Sequence, residues 1–269
     1  VMTRIEGVSH RTIDVHAHVG HTVATGVGQT VSEMIVRLEE SGVSQALPSP
    51  AAANRSADGL RDTQRLNDIV AEAVREHPQH FPAGFGLVEP RHEELAVRET
   101  ERVMDELGLV GLALHPMLEG FYIDAPRLVD PIFEVLDDRR ALCLMHSSPS
   151  PDSGESADAI GVVAEKFSRV TFLLGHAFLS EDQLTSAVAL VKRLPNVLLD
   201  VAYQSDPALT ARLVDEVGSA RVVFGSDQPF YDPAAVFDSV LDAGLGQEDL
   251  QAVLYDNVAA LIAARGALK

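Results

Sequence analysis

Short apolar runs alternate with segments of helical periodicity along the whole of this chain, and few folds accommodate that rhythm. The runs fall at 12–16, 43–47, 81–88, 109–115, 141–147, 170–175, 196–201 and 221–225, each about the length of a buried strand. Apolar residues recur at helical spacing over 31–40, 60–76, 93–107, 128–139, 157–167, 181–193 and 207–217, and again over 233–241 and 247–264. Such alternation builds parallel strands covered by helices, and eight units within 269 residues match a (β/α)8 TIM barrel. The expected fold class is therefore α/β: a single TIM-barrel domain over 1–269 with an extra C-terminal helix. An open doubly wound sheet is the alternative. It ordinarily carries a glycine-rich phosphate loop, and neither GxGxxG nor GxxxxGK[ST] occurs here.

A barrel places its chemistry at the C-terminal ends of the strands. The first run, TIDVHAH, ends in His16 and His18, which stand two apart and so share a strand face. His115 closes the fourth run, His146 closes the fifth (LCLMH), His176 follows the sixth (FLLG) and Asp227 follows the eighth (VVFGS). Two imidazoles projecting together are a ready pair of nitrogen ligands for a divalent metal, although such a pair can also pack as ordinary core. Asp14 has the parity of His16 and His18 but sits deeper, where hydrogen bonding within the barrel is its expected role. Cys143 alternates with His146, so it faces the helices and is a poor nucleophile.

Composition narrows the partners. Acidic residues outnumber basic ones by 40 to 21, for a net charge of −19, and that field repels the phosphates of nucleic acid and of anionic membranes. One cysteine allows no internal disulfide, no apolar run reaches membrane-spanning length, and the N-terminal residues lack the apolar stretch of a signal peptide. A cytoplasmic protein acting on a small molecule is the expectation, with no nucleic acid and no membrane partner. Only Lys166, Lys192 and Lys269 are lysines; the first two fall in helical segments and the third is the last residue. Schiff-base and pyridoxal phosphate chemistry, which need a buried lysine, are disfavoured.

In order, IDVHAH, GLALHP, LMHSS, LLGHAFLS, FGSDQPF and the closing LYDNVAALI resemble the successive motifs of the amidohydrolase superfamily. They are most similar to the branch holding aminocarboxymuconate-semialdehyde decarboxylase, resorcylate-type decarboxylases and several lactone hydrolases. The resemblance implies that His16, His18, His146 and Asp227 bind one divalent ion, Zn²⁺ first and Mn²⁺ second. It makes His176 a proton shuttle beside the metal-bound water, with Asp227 also able to take a proton. Binuclear members bridge two metals through a carboxylated lysine on the fourth strand; His115 stands there instead, which implies a mononuclear site. His115 either contacts substrate or orders the pocket. Decarboxylases of the branch bind a substrate carboxylate with an arginine from the loop after the second strand, where this chain has Arg55 and Arg61. Relatives form dimers, so a homodimer is the assembly the resemblance suggests.

Two reactions suit this expected centre. Metal-activated water could hydrolyse an amide or lactone, or the same groups could protonate an unsaturated or aromatic acid as carbon dioxide leaves. The chain is short for the branch's decarboxylases, which favours a hydrolase as the expectation and leaves a decarboxylase as the alternative.

Overall fold

The computed structural model describes residues 10–22, 25–51 and 59–266. Its strands are β1 (Ile13–His21), β2 (Gly28–Gln29), β3 (Gln45–Pro50), β4 (Phe85–Gly86), β5 (Gly111–Leu114), β6 (Leu142–His146), β7 (Thr171–Gly175), β8 (Val197–Asp200) and β9 (Val222–Val223). The helices are α1 (Val31–Ser41), α2 (Leu60–Glu76), α3 (Glu94–Asp105), α4 (Pro116–Glu119), α5 (Pro126–Asp138), α6 (Ala157–Lys166), α7 (Glu181–Arg193), α8 (Pro207–Val217) and α9 (Pro233–Leu241). The last helical stretch is broken by a π-turn at Ala252–Asp256 into α10 (Gln247–Gln251) and α11 (Asn257–Ala263).

The strands pair in two sheets, ordered β2-β1-β3 and β4-β5-β6-β7-β8-β9. All ladders are parallel except that of β2, which folds back on β1 with Gly20 opposite Gln29. Two seams join the sheets. At one, Val15 N–H donates to the Phe224 carbonyl (3.0 Å), His18 N–H to Gln228 (2.8 Å) and Asp227 N–H to His16 (2.7 Å). At the other, Ala46 N–H donates to His80 (2.9 Å). Eight parallel strands therefore succeed one another in barrel order, with β2 as a small addition, and the α/β barrel class holds.

The strand limits read from sequence need adjustment. Pro48 and Pro50 lack an amide donor, yet β3 runs on to Pro50, because it is an edge strand of its sheet and proline is tolerated at edges. The long run 81–88 contributes only two ladder residues, Phe85 and Gly86.

Two apolar layers result. An outer one, including Cys143, Met145, Phe172 and Leu174, packs strands against helices. An inner one fills the barrel floor with Ile13, Val15, Leu144, Leu173, Leu198 and Val223, and it includes Tyr255, Val258 and Ile262 from the C-terminal helical stretch. In β1 the inner residues are Ile13 and Val15 but the outer ones are Ala17 and Val19, and the register against β3 slips between Asp14 and Ala17. This bulge turns His16 and His18 inward directly above an apolar floor. Asp14 consequently does not share their parity.

Candidate metal centre

Four side chains from β1, β6 and the loop after β9 meet above that floor. His16, His18, His146 and Asp227 each offer one ligand atom, all within 4.8 Å of one another, and all four are buried. His16 Nε2 lies 3.0 Å from His146 Nε2 and 3.4 Å from Asp227 Oδ1, and His18 Nε2 lies 3.2 Å from the same oxygen.

The opposite ring nitrogens explain why these Nε2 atoms are lone pairs. His146 Nδ1 is 3.1 Å from the Leu114 carbonyl, a pure acceptor, and His16 Nδ1 is 2.7 Å from Asp200 Oδ2, an acceptor in its ionised form. His18 Nδ1 is 2.9 Å from Ser49 Oγ, whose own proton goes to the Ala17 carbonyl. Each Nδ1 therefore carries the hydrogen, leaving three Nε2 lone pairs aimed at a carboxylate. Burial, then the neighbouring imidazoles, pushes His16 and His146 well below the usual histidine range, so both are neutral. Converging acceptors without a donor repel one another unless a cation lies among them. Three imidazole nitrogens and one carboxylate oxygen make a donor set that could hold a single divalent metal.

Other groups hold this set in place. Asp200, at the end of β8, also accepts from Ala202 N–H, and burial pushes its carboxyl well above the ordinary carboxylate range. A cation bound through His16 would favour its charged form. Asp14 accepts from His16 N–H, Ser226 N–H, Ser226 Oγ and Gln228 Nε2, stitching β1 to the Asp227 loop; burial raises its carboxyl to about 6. Gly175 and Gly225 make the space for His16. A Cβ on Gly175 would sit 2.7 Å from His16 Cε1, and one on Gly225 would sit 2.9 Å from His16 Cβ. His176, Tyr203 and Asp227 all adopt left-handed backbone, with φ of 59°, 66° and 68°. Each costs roughly 1 kcal/mol or more, a strain typical of side chains held over a site.

The structure brings the expected residues together. His176 Nε2 lies 3.5 Å from Asp227 Oδ2 with no hydrogen-bond partner, and burial lowers the pKa of its ring. His115 stacks on His146 at 4.3 Å, and its Nδ1 is 3.1 Å from Glu155 Oε2. Arg61 is exposed on the first turn of α2, while Arg55 and Lys269 lie outside the described residues. Lys166 and Lys192 pair with Asp130 and Glu216 on the helical layer. Cys143 is buried in the outer layer with its thiol pushed up by desolvation. Sequence reasoning missed Asp200, Ser49, Glu155, Tyr203 and the two glycines. Asp200 alone carried a usable signal, as an acid ending the seventh run.

A family model described as Amidohydrolase matches residues 13–262. The chain is 35% identical over 89 residues to 2-amino-3-carboxymuconate-6-semialdehyde decarboxylase of Dictyostelium discoideum, covering 33% of this chain and 24% of that protein. It is 38% identical over 94 residues to gamma-resorcylate decarboxylase of Polaromonas sp. strain JS666, covering 35% and 25%. The matched stretch thus spans about a quarter of each curated relative. Among solved structures, 5-carboxyvanillate decarboxylase LigW of Sphingomonas paucimobilis superposes with a TM-score of 0.76 at 19% identity, covering 94% of this chain and 99% of that one. The Polaromonas dihydroxybenzoic acid decarboxylase, solved with manganese and 2-nitroresorcinol, superposes at 0.73 and 19% identity, covering 94% and 97%.

These findings correct the hydrolase expectation. Both curated relatives are decarboxylases, which overturns amide or lactone cleavage as the main reading. Membership rests on a match that takes in every one of the four clustered side chains, from His16 to Asp227: the chain belongs to the amidohydrolase family.

Proposed function

We propose that this protein is a metal-dependent, non-oxidative decarboxylase of a small aromatic or unsaturated carboxylic acid. The carrying observation is a mononuclear donor set, His16, His18, His146 and Asp227, in a chain whose two curated relatives are both decarboxylases. One divalent ion would be held there, and when bound it supplies positive charge that orients and polarises oxygens of the substrate. Zinc suits the three imidazoles; manganese suits the carboxylate and is present in the solved Polaromonas relative.

The chain's own residues supply the rest. Replacing a carboxylate by hydrogen requires a proton delivered to carbon, and His176 with Asp227 forms a pair that can hold one at Nε2 or Oδ2, 3.5 Å apart. Burial lowers the pKa of His176, so its ring disfavours a standing positive charge and readily gives up a proton held at Nε2. Phe230 packs on His18 at 5.7 Å, giving the mouth an apolar face that suits a planar acid. His115, locked by Glu155, borders the same space and is proposed to contact that acid.

The test is incubation with hydroxybenzoic, resorcylic and muconate-type acids in D2O, with mass spectrometry of the products. Loss of carbon dioxide with gain of one deuterium is expected. Addition of water to the substrate, or no turnover in elementally verified holoprotein across the panel, would defeat the reading. Elemental analysis should find one divalent ion per chain, and a stoichiometry of two would contradict the mononuclear site. His176→Ala should keep the ion and lose turnover; loss of the ion would make it a ligand instead.

A further inference from the structure

The ring planes at the centre form two columns set nearly at right angles. In one, His16, His176 and Tyr203 stack in sequence, at 5.0 Å and 25°, then 5.4 Å and 15°. In the other, His18, His146 and His115 stack at 5.3 Å and 27°, then 4.3 Å and 18°. His16 meets His18 and His146 edge-on, at 81° and 87°. In the second column each ring is oriented by a hydrogen bond at Nδ1: His18 to Ser49, His146 to the Leu114 carbonyl, His115 to Glu155. His176 differs. Its Nε2 is buried without a hydrogen-bond partner and stands 3.5 Å from Asp227.

Nε2 makes no hydrogen bond that would orient this ring, whereas both of its faces are covered. His16 covers one face of His176, and its own plane is fixed by Asp200. Tyr203 covers the other, and two contacts and its backbone conformation set Tyr203 there. Its N–H donates to the Ser226 carbonyl (3.3 Å), its backbone is left-handed, and Tyr231 leans on it at 5.2 Å with its hydroxyl 2.9 Å from Ser205 Oγ. Tyr203 is nonetheless 44% exposed, so burial of its own ring does not explain this bracing. We propose that Tyr203 is a positioning residue: it clamps His176 against His16 and so holds Nε2 aimed at Asp227 Oδ2. The kinetic half of this inference rests on the decarboxylase reading, whereas its spectroscopic half does not.

The spectroscopic experiment records histidine ring-proton NMR signals of Zn²⁺-loaded protein for wild type, Tyr203→Phe and Tyr203→Leu, with His176 assigned by loss of its signals in His176→Ala. Ring currents from Tyr203 should displace the His176 signals in wild type and Tyr203→Phe. In Tyr203→Leu they should move toward free-imidazole positions and broaden, with metal content unchanged. His176 signals that are the same in all three proteins would overturn the clamp, whatever the enzyme's substrate. With a substrate from the acid panel, Tyr203→Leu should lower kcat about tenfold or more with KM within about twofold, since small misplacement of a reacting group is costly. Tyr203→Phe should retain wild-type kcat. Adding Tyr203→Leu to His176→Ala should cause no further fall, because the two act as one unit. A rise in KM alone would make Tyr203 a substrate-contacting ring and overturn the positioning role.

Discussion

At the residue scale, the centre depends on acceptors that fix which nitrogen of each histidine is free. Asp200 does this for His16 with a carboxylate at 2.7 Å. Asp200→Asn keeps the shape and an acceptor but loses the charge that strengthens ligand basicity, so metal affinity should fall about tenfold or more. Competition with a chelator measures it, and unchanged affinity would show that Asp200 only fills space. Glu119 presents a different case. It is buried with neither carboxylate oxygen hydrogen-bonded, and burial, reinforced by Glu89 and Glu155, pushes its pKa well above the ordinary glutamate value. The folded protein then binds this proton more tightly than the unfolded chain, so stability declines as pH rises from about 4.5 through the folded value. Glu119→Gln should therefore stabilise the fold at pH 7 by about 1–3 kcal/mol and change little at pH 4. Urea midpoints at the two pH values decide it; a gain of equal size at both would mean that charge is not the cause. Glu119 illustrates what sequence hides: nothing in GLALHPMLEG distinguishes a buried acid from a solvated one.

At the element scale, strand-end position picked out the side chains that cluster at the mouth, because a barrel strand must deliver its last inward residue there. His146, His176 and Asp227 were legible on that basis, together with the alternation of Cys143 away from the site. What was illegible came from backbone irregularity. The bulge in β1 reversed the parity of Asp14, and the left-handed turns at His176, Tyr203 and Asp227 have no glycine to announce them. The glycines that do matter, Gly175 and Gly225, looked like ordinary strand ends although they form the cradle of His16. Gly175→Ala tests that cradle. Its Cβ would fall 2.7 Å from a ring atom of His16, and Asp200 leaves that ring no freedom to swing away. Displacement of His16 should cost about 1–3 kcal/mol of stability and at least a tenfold loss of metal affinity. Thermal melts with and without added metal are the measurement. Retention of both properties would mean that the strand yields and the ligand set tolerates the shift.

At the scale of the whole molecule, two kinds of contact tie the helical ring together, and magnitudes decide between them. Ion pairs link successive helices: Arg102 to Asp68, Arg139 to Asp105, Arg193 to Glu165 and Arg212 to Glu181, at 2.6–3.0 Å. All involve at least one largely exposed partner, so each is worth at most about 1 kcal/mol, and salt screens them. The C-terminal helix works by burial instead. Val258 and Ile262 are fully buried, and with Tyr255 they join the inner layer formed by Ile13, Val15 and Leu173. A (β/α)8 barrel whose floor is completed by an added helix should depend on that helix more than on its ion-pair belt. Ile262→Ala removes packed methyl groups from the floor and should cost about 2–5 kcal/mol, enough to lower Tm by about 5 °C or more for a chain of this size. Raising NaCl from 0.05 to about 0.5 M, which shortens the screening length to a few ångströms, should shift the wild-type Tm by less than that substitution does. Because the floor lies directly beneath His16 and His146, the variant should also bind metal less tightly while every ligand remains present. A salt effect larger than the Ile262→Ala effect would place the stability of this barrel in its charged belt rather than in its floor.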